Sequence, residues 1–284
     1  MSGTAADAVL QTIRGISALP ALPVVVQTLM RDIADPRSHM LHISHLLGHD
    51  QALAARILRV ANSPFYATRE PVRSLEQAVP LLGLRQVNAI LLKATLFDSY
   101  ASRSARGIWL HALGAACATR AVARIARLTP ADEAFALGLL HDIGKLALQE
   151  AFPTEYRQVR EIVAQEGGLI RQAEQRVFGC DHAEAGRCLI ERWSLPVDFI
   201  EAVGCHHQLA AASPSCLPWA AACHLGDIVA RAMLIGNGGD RSIPALDPVA
   251  LQALRITGSS YRAIFTAAEE ELARAAVFFN VLDS

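Results

Sequence analysis

Ala136-Leu-Gly-Leu-Leu-His141-Asp142-Ile143-Gly144-Lys145-Leu146-Ala147-Leu148 sets an imidazole beside a carboxylate inside an apolar run, with a lysine one helical turn on. An unpaired charge in such surroundings is costly enough that the group would neutralise itself, so the stretch demands partners. Its apolar spacing predicts a helix over about Pro130 to Glu150. Outward from it, helices are predicted at about Ile108 to Leu128, Pro153 to Glu166, Leu169 to Phe178, His182 to Trp193, Pro196 to Gln208 and Leu217 to Ile235. A glycine-rich loop, Gly236-Asn-Gly-Gly-Asp240, precedes two closing helices. The last carries Phe265, Ala268, Leu272, Ala275 and Phe279 on one stripe, with Glu269 to Glu271 expected on its wet face.

Toward the N-terminus, Leu19-Pro-Ala-Leu-Pro23 punctuates the first helix, and the next, about Val24 to Ala34, ends at Asp35-Pro36. Ser38 precedes a helix holding Leu41, Leu46 and Leu47. Asp50 is the expected N-cap of a helix through Leu53, Ile57, Leu58 and Ala61 that stops at Asn62-Ser63-Pro64. Ser74 and Gln77 have the spacing of a capping box, and an apolar helix follows from Arg85 to about Tyr100. Sustained period-two alternation is absent, so the expected class is all-α. The polar, small-residue stretch Ser99 to Gly107 divides the chain into an N-terminal helical subdomain, 1–103, packed on a helical bundle, 104–284.

Composition narrows the function. Apolar residues make up 52% of the chain and the net charge is −1, so no global field draws nucleic acid or an anionic membrane. The longest apolar candidate for a span, Leu217 to Ile235, carries His224, Asp227 and Arg231, and the first residues lack a leader pattern, so the expected location is the cytoplasm. Six cysteines without a C-x-x-C pair read as small buried side chains of a reducing compartment.

His111 shares an apolar stripe with Ile108, Ala115 and Val122 and by itself reads as a hydrogen-bonded core histidine. His141-Asp142 offers nitrogen and oxygen donors from one turn. Further on, Cys180-Asp181-His182 opens a helix, Cys205-His206-His207 closes another, and Asp227 sits inside Cys223 to Arg231. Each has a local reading: His182 in a cap, His207 as a cation near a helix C-terminus, Asp227 as the partner of Arg231. Jointly, on separate helices, they supply donors enough for two divalent ions. His39, His42, His45 and His49 form another group, but without a carboxylate nearby except Asp50 they read as a polar helix face.

The order His111, His141-Asp142, Lys145, His182, His206-His207, Asp227 resembles the HD superfamily of metal-dependent phosphohydrolases. Within it the chain is most similar to the HDOD (HD-related output domain) family. The N-terminal half carries that resemblance in Leu19 to Pro23, Asp50 to Ser63 and Ala78 to Leu84, and the rest in Gly138 to Lys145 and Trp193-Ser-Leu-Pro196. The resemblance implies a bacterial signal-transduction module, concerned with response regulation, that binds a signalling partner or small phosphorylated ligand. The alternative it carries is a metal-dependent phosphohydrolase acting on a nucleotide or phosphoester. It further implies one ion held by His111, His141, Asp142 and Asp227, and a second held by His182, His206 and His207, with Asp142 as the bridge. Lys145, near that cluster, would stabilise a phosphate or a hydroxide on the metal; Asp142 and Lys145 are therefore the candidate catalytic residues. Only Lys93 and Lys145 of the 26 basic residues are lysines, so a compact point charge at 145 is a marked choice. Histidine and carboxylate donors suit Fe, Mn, Ni, Co or Zn, one or two ions. After His207 the chain runs Gln208-Leu-Ala-Ala-Ala-Ser-Pro214, without the acidic residue and Gly-Tyr-Pro signature of the cyclic-di-GMP phosphodiesterase branch, so that activity is not expected.

Overall fold

The computed structural model describes residues 5–15, 36–48, 50–63, 66, 68, 70–97, 103–240 and 242–283. Among these there is no strand, in keeping with the all-α expectation. The N-terminal half contains α1 (Ala5–Gly15), α2 (Pro36–Leu47), α3 (Gln51–Ala61), α4 (Leu75–Leu82) and α5 (Leu84–Leu92), the last running into a π-helical segment at Lys93–Phe97. Then come α6 (Arg103–Ile125), α7 (Ala131–Leu140), α8 (Ile143–Ala151), α9 (Pro153–Glu166), α10 (Ile170–Phe178), α11 (His182–Arg192) and α12 (Val197–Cys205). The chain closes with α13 (Leu217–Ala232), α14 (Pro248–Leu254) and α15 (Ser260–Asp283). The proline-punctuated segment at 19–23, the helix expected at 24–34 and residues 99–102 of the expected division at 99–107 lie outside the described residues; 103–107 already belong to α6. No described helix is long and apolar enough to cross a membrane.

Helix α6 is the axis of the C-terminal half, with α7, α13 and α15 packed around it. Small residues let these helices approach closely. A Cβ on Gly226 of α13 would fall 2.1 Å from Thr119 Oγ1 on α6, so only glycine permits this spacing. On the other side, a Cβ on Gly144 of α8 would fall 1.9 Å from the carbonyl oxygen of His182 on α11. These two contacts draw together the helices that carry His111, His141-Asp142, His182 and Asp227. One hydrophobic cluster runs from Ile13 and the α2–α5 core through Leu96 to Ile108, Leu140, Phe199 and Cys223. Helix α1 packs against α11 and α8, so the start of the described chain braces the bundle. A smaller cluster joins Val122, Leu225, Leu254 and Ile264. All six cysteines are buried and unbridged.

Three sequence expectations are corrected. The single helix expected over Pro130 to Glu150 is broken at His141-Asp142, where Asp142 leaves helical geometry (φ −97°, ψ 10°). In an unbroken helix successive side chains diverge by about 100°; the break turns both donors to one side. The expected capping box at Ser74 does not form: Ser74 takes the N-cap backbone conformation without a side-chain cap, and Gln77 instead accepts from the Arg73 N–H at 3.0 Å. Glu271, expected on a wet face, is buried, and its carboxylate meets Arg85, Arg120 and Arg124. Other local expectations match: Asp50 caps α3 through the Leu53 N–H at 3.1 Å, and His42 and His45 lie on an exposed face of α2.

Candidate metal centre

Each donor is delivered by a helix or a helix end. His111 lies on α6, Lys145 on α8 and Asp227 on α13. His182 is the first residue of α11, fixed there by a capping box in which Asp181 accepts from the Ala183 and Glu184 N–H groups while Glu184 accepts from that of Asp181. His206 and His207 follow the last turn of α12. His111, His141, Asp142, His182, His206 and Asp227 are buried and His207 is half-buried.

The other six side chains gather around Asp142. Its Oδ2 faces His111 Nε2 at 3.5 Å and His141 Nε2 at 3.3 Å; its Oδ1 faces His182 Nε2 at 3.1 Å and His206 Nε2 at 4.0 Å. Asp227 Oδ1 completes the first side, 2.9 Å from His111 Nε2 and 3.5 Å from His141 Nε2. His207 Nε2 completes the second, 2.9 Å from His182 Nε2. Donor atoms of Asp142, His182, His206 and His207 lie within 4.8 Å of one another, as do those of His111, His141 and Asp142. These are His/Asp clusters that could hold a metal.

Hydrogen bonding on the far side of each ring fits that chemistry. His141 Nδ1 donates to the Gly138 carbonyl at 2.8 Å, His206 Nδ1 to Val203 O at 2.7 Å, and His182 Nδ1 to Glu174 Oε2 at 2.5 Å. Each bond keeps a proton on Nδ1 and so makes Nε2 the ring atom turned toward the cluster. Buried polar atoms are almost always hydrogen-bonded, yet His206 Nε2 has no hydrogen-bond partner, and His111 Nε2, His141 Nε2 and Asp142 Oδ1 face only other donor atoms of the cluster. Donor atoms turned on one another in this way are what a cation would satisfy.

Electrostatics agree. Burial would raise the Asp142 pKa, but His141, Lys145 and His182 outweigh it and hold the carboxyl well below the usual range. Asp227 is likewise held down, chiefly by Arg231 against the opposing effect of burial. For His141 burial pushes down and the Asp142 and Asp227 carboxylates push up, leaving it at about 9; for His182 burial is outweighed by Glu174 and Asp142, leaving it at about 10. His206 and His207 fall well below the ordinary value through burial and neighbouring imidazoles, and His111 is lowered by burial. The cluster draws positive charge, as protons or as metal.

Lys145 is fully buried. Its Nζ donates to Asp142 Oδ2 at 2.6 Å and to the Gly238 carbonyl at 2.8 Å, so the glycine-rich loop closes over it. Asp240 of that loop accepts from the Ile170 N–H at 2.7 Å, pairs with Arg231 and stands 3.7 Å from Lys145. Arg231 Nε in turn donates to Asp227 Oδ1 at 2.8 Å, so the local partner expected for Asp227 is present alongside its place in the cluster. A cavity of about 400 Å³ lined by His111, Arg231, Gly238 and Asp240, among others, borders the site here.

Sequence reasoning missed Glu174 and Asp240 as supports of the site. Glu174 had a legible signal: with Ile170 and Phe178 it forms an i, i+4, i+8 stripe on α10, an acid on an apolar face. Its Oε2 also accepts from the His182 N–H at 2.9 Å, and Oε1 accepts from the Tyr156 hydroxyl at 3.3 Å.

Residues 19–209 match the HDOD domain. The chain belongs to the HDOD family. An HDOD domain protein of unknown function from Geobacter sulfurreducens superposes with a TM-score of 0.72 at 26% identity, over 93% of this chain and 98% of that one. A Marinobacter aquaeolei protein described as a candidate for signal transduction gives 0.72 at 19% identity, covering 99% of this chain and 66% of that one. A Shewanella amazonensis protein described as a candidate phosphohydrolase gives 0.64 at 20%, covering 93% and 98%. The last two are alike in fold alone. An uncharacterized Treponema pallidum protein is 27% identical over 203 residues, 68% of this chain; the HDOD chain spans 38% of that relative's length.

Proposed function

We propose that this HDOD chain is a metal-holding signal-transduction module that binds a signalling protein or a small phosphorylated ligand, rather than turning a substrate over. The observation that carries this reading is enclosure. Lys145, the residue best placed to meet a phosphate, is fully buried and its ammonium is taken up by Asp142 and the Gly238 carbonyl. Asp142 would bridge two ions, one with His111, His141 and Asp227, the other with His182, His206 and His207. These residues, at α6, α8, α11, α12 and α13, would be tied into one unit by a bound divalent ion, which would supply a Lewis acid there and set the shape a partner reads.

Hydrolysis of a phosphoester is the second reading, favoured by the two oxygens of Asp142 facing two histidine groups, as two-metal hydrolysis requires. In that case Lys145 would have to leave the Gly238 carbonyl to touch substrate. The test is to load the protein with Fe, Mn, Co, Ni or Zn, measure the metal, and assay the loaded form on a generic phosphodiester and a nucleotide panel. Stoichiometric metal without turnover is expected; turnover abolished by Asp142→Ala supports hydrolysis instead.

A further inference from the structure

The two sides of the cluster differ in what already engages their donors. On the His111 and His141 side both carboxylate oxygens are committed to cations: Asp142 Oδ2 to Lys145 Nζ at 2.6 Å, Asp227 Oδ1 to Arg231 Nε at 2.8 Å. Arg231 and Lys145 are themselves held in place by Asp240 and the Gly238 carbonyl. A metal entering this side meets two fixed positive charges and must share the oxygens they hold. On the other side Asp142 Oδ1 is held by neither Lys145 nor Arg231 and faces His182 Nε2, itself a ligand, at 3.1 Å, while His206 Nε2 has no hydrogen-bond partner; both atoms are buried. Behind His182 stands the buried carboxylate of Glu174, 2.5 Å from Nδ1 and anchored by the His182 N–H and the Tyr156 hydroxyl. A carboxylate behind a ligating imidazole fixes its orientation and raises its basicity toward the metal.

We infer that the two ion sites are unequal: the His182, His206, His207 and Asp142 Oδ1 site is the tight one, made so by Glu174, and the His111, His141, Asp227 and Asp142 Oδ2 site is weak and exchangeable, held so by Lys145 and Arg231. Glu174 is thus a positioning residue, acting through His182. The inference rests on the metal-holding reading above and extends it. It makes occupancy of the second site the variable that changes with available metal, while the first stays filled.

Titrating the metal-free full chain with Co²⁺, followed by calorimetry and by the cobalt absorption bands, tests this. Wild type is expected to bind in two steps separated by at least about tenfold, and Glu174→Gln to weaken the tighter step by roughly 10- to 100-fold, leaving the weaker one in place. Arg231→Gln is expected to strengthen only the weaker step, which keeps the test alive if Glu174→Gln does not fold. X-ray absorption of wild type holding a single equivalent of Co²⁺ should count three imidazoles. Two imidazoles, two steps of equal affinity, or a Glu174→Gln variant that binds as wild type would overturn the inference while leaving the metal-holding reading intact. A wild-type protein that takes up no Co²⁺ would remove both.

Discussion

Asp142 and Glu271 are carboxylates buried to the same degree, each 2% exposed and each surrounded by cationic or potentially cationic side chains. Around Glu271 the account closes: Oε2 meets Arg85 from the N-terminal half at 2.6 Å, and Oε1 meets Arg120 and Arg124 of α6. Around Asp142 it does not. Lys145 takes Oδ2, but Oδ1 and the Nε2 atoms of His111 and His141 face only other donor atoms of the cluster, and His206 Nε2 has no hydrogen-bond partner. The first cluster is complete within the protein and fastens α15 to α5 and α6. The second is complete only when something else is added. Burial and charge are shared by both, so uncommitted donor atoms, rather than buried charge, mark the functional site.

Breaking each carboxylate in turn should separate the two roles. Asp142→Ala removes the bridge and leaves Lys145 buried without its anion; metal content should fall to background, a loss of more than the roughly 100-fold that removal of an outer partner costs, read by elemental analysis. Glu271→Ala should instead lower stability by about 2–4 kcal/mol, less than for a wholly enclosed pair because the arginines reach solvent, with metal content unchanged. If Glu271→Ala loses metal while keeping its melting temperature, the comparison is wrong. Gly144→Ala lies between the two cases. Its new methyl would press on the His182 carbonyl, costing about 1–3 kcal/mol and weakening metal binding together with stability, because His182 opens α11 and Asp142 immediately precedes α8.

The smallest effect is on protons. Without an ion His141 and His182 stay protonated up to about 9 and about 10. Metal must displace those protons, so at pH 7 its uptake should release about two protons per chain and tighten as pH rises, measured by calorimetry in buffers of different ionisation enthalpy. The sign for folding follows. Both folded-state values lie above the ordinary histidine value of about 6.5, so their contribution to the metal-free protein is full below that pH and is lost as pH rises through about 9 to 10. The metal-free melting temperature should fall across that window, and the metal-loaded one should fall less.

The helical class and the helices carrying the donors were legible in the apolar spacing; the grouping of the seven side chains came from the resemblance to the HD superfamily, because each donor by itself has a local reading. The break at His141-Asp142 was not, since nothing in Leu-Leu-His-Asp-Ile-Gly forbids a helix, and just past it Gly144 docks under the His182 carbonyl, a contact with a distant segment that no local pattern reveals. Glu271 was missed for a related reason. It lies beside Glu269 and Glu270, and only its register with Ile264, Ala268 and Ala275 separates a buried acid from two exposed ones. Gly238 acts through its carbonyl, which no side-chain pattern reveals.

Crystals of the full chain soaked in Co²⁺ and measured on both sides of the cobalt absorption edge test the metal claim most directly. An anomalous peak is expected in contact with Asp142 Oδ1, His182, His206 and His207, joined at higher Co²⁺ by a second peak against Asp142 Oδ2, His111, His141 and Asp227. Soaked crystals with ordered side chains at all seven positions and no anomalous peak touching Asp142 would contradict it.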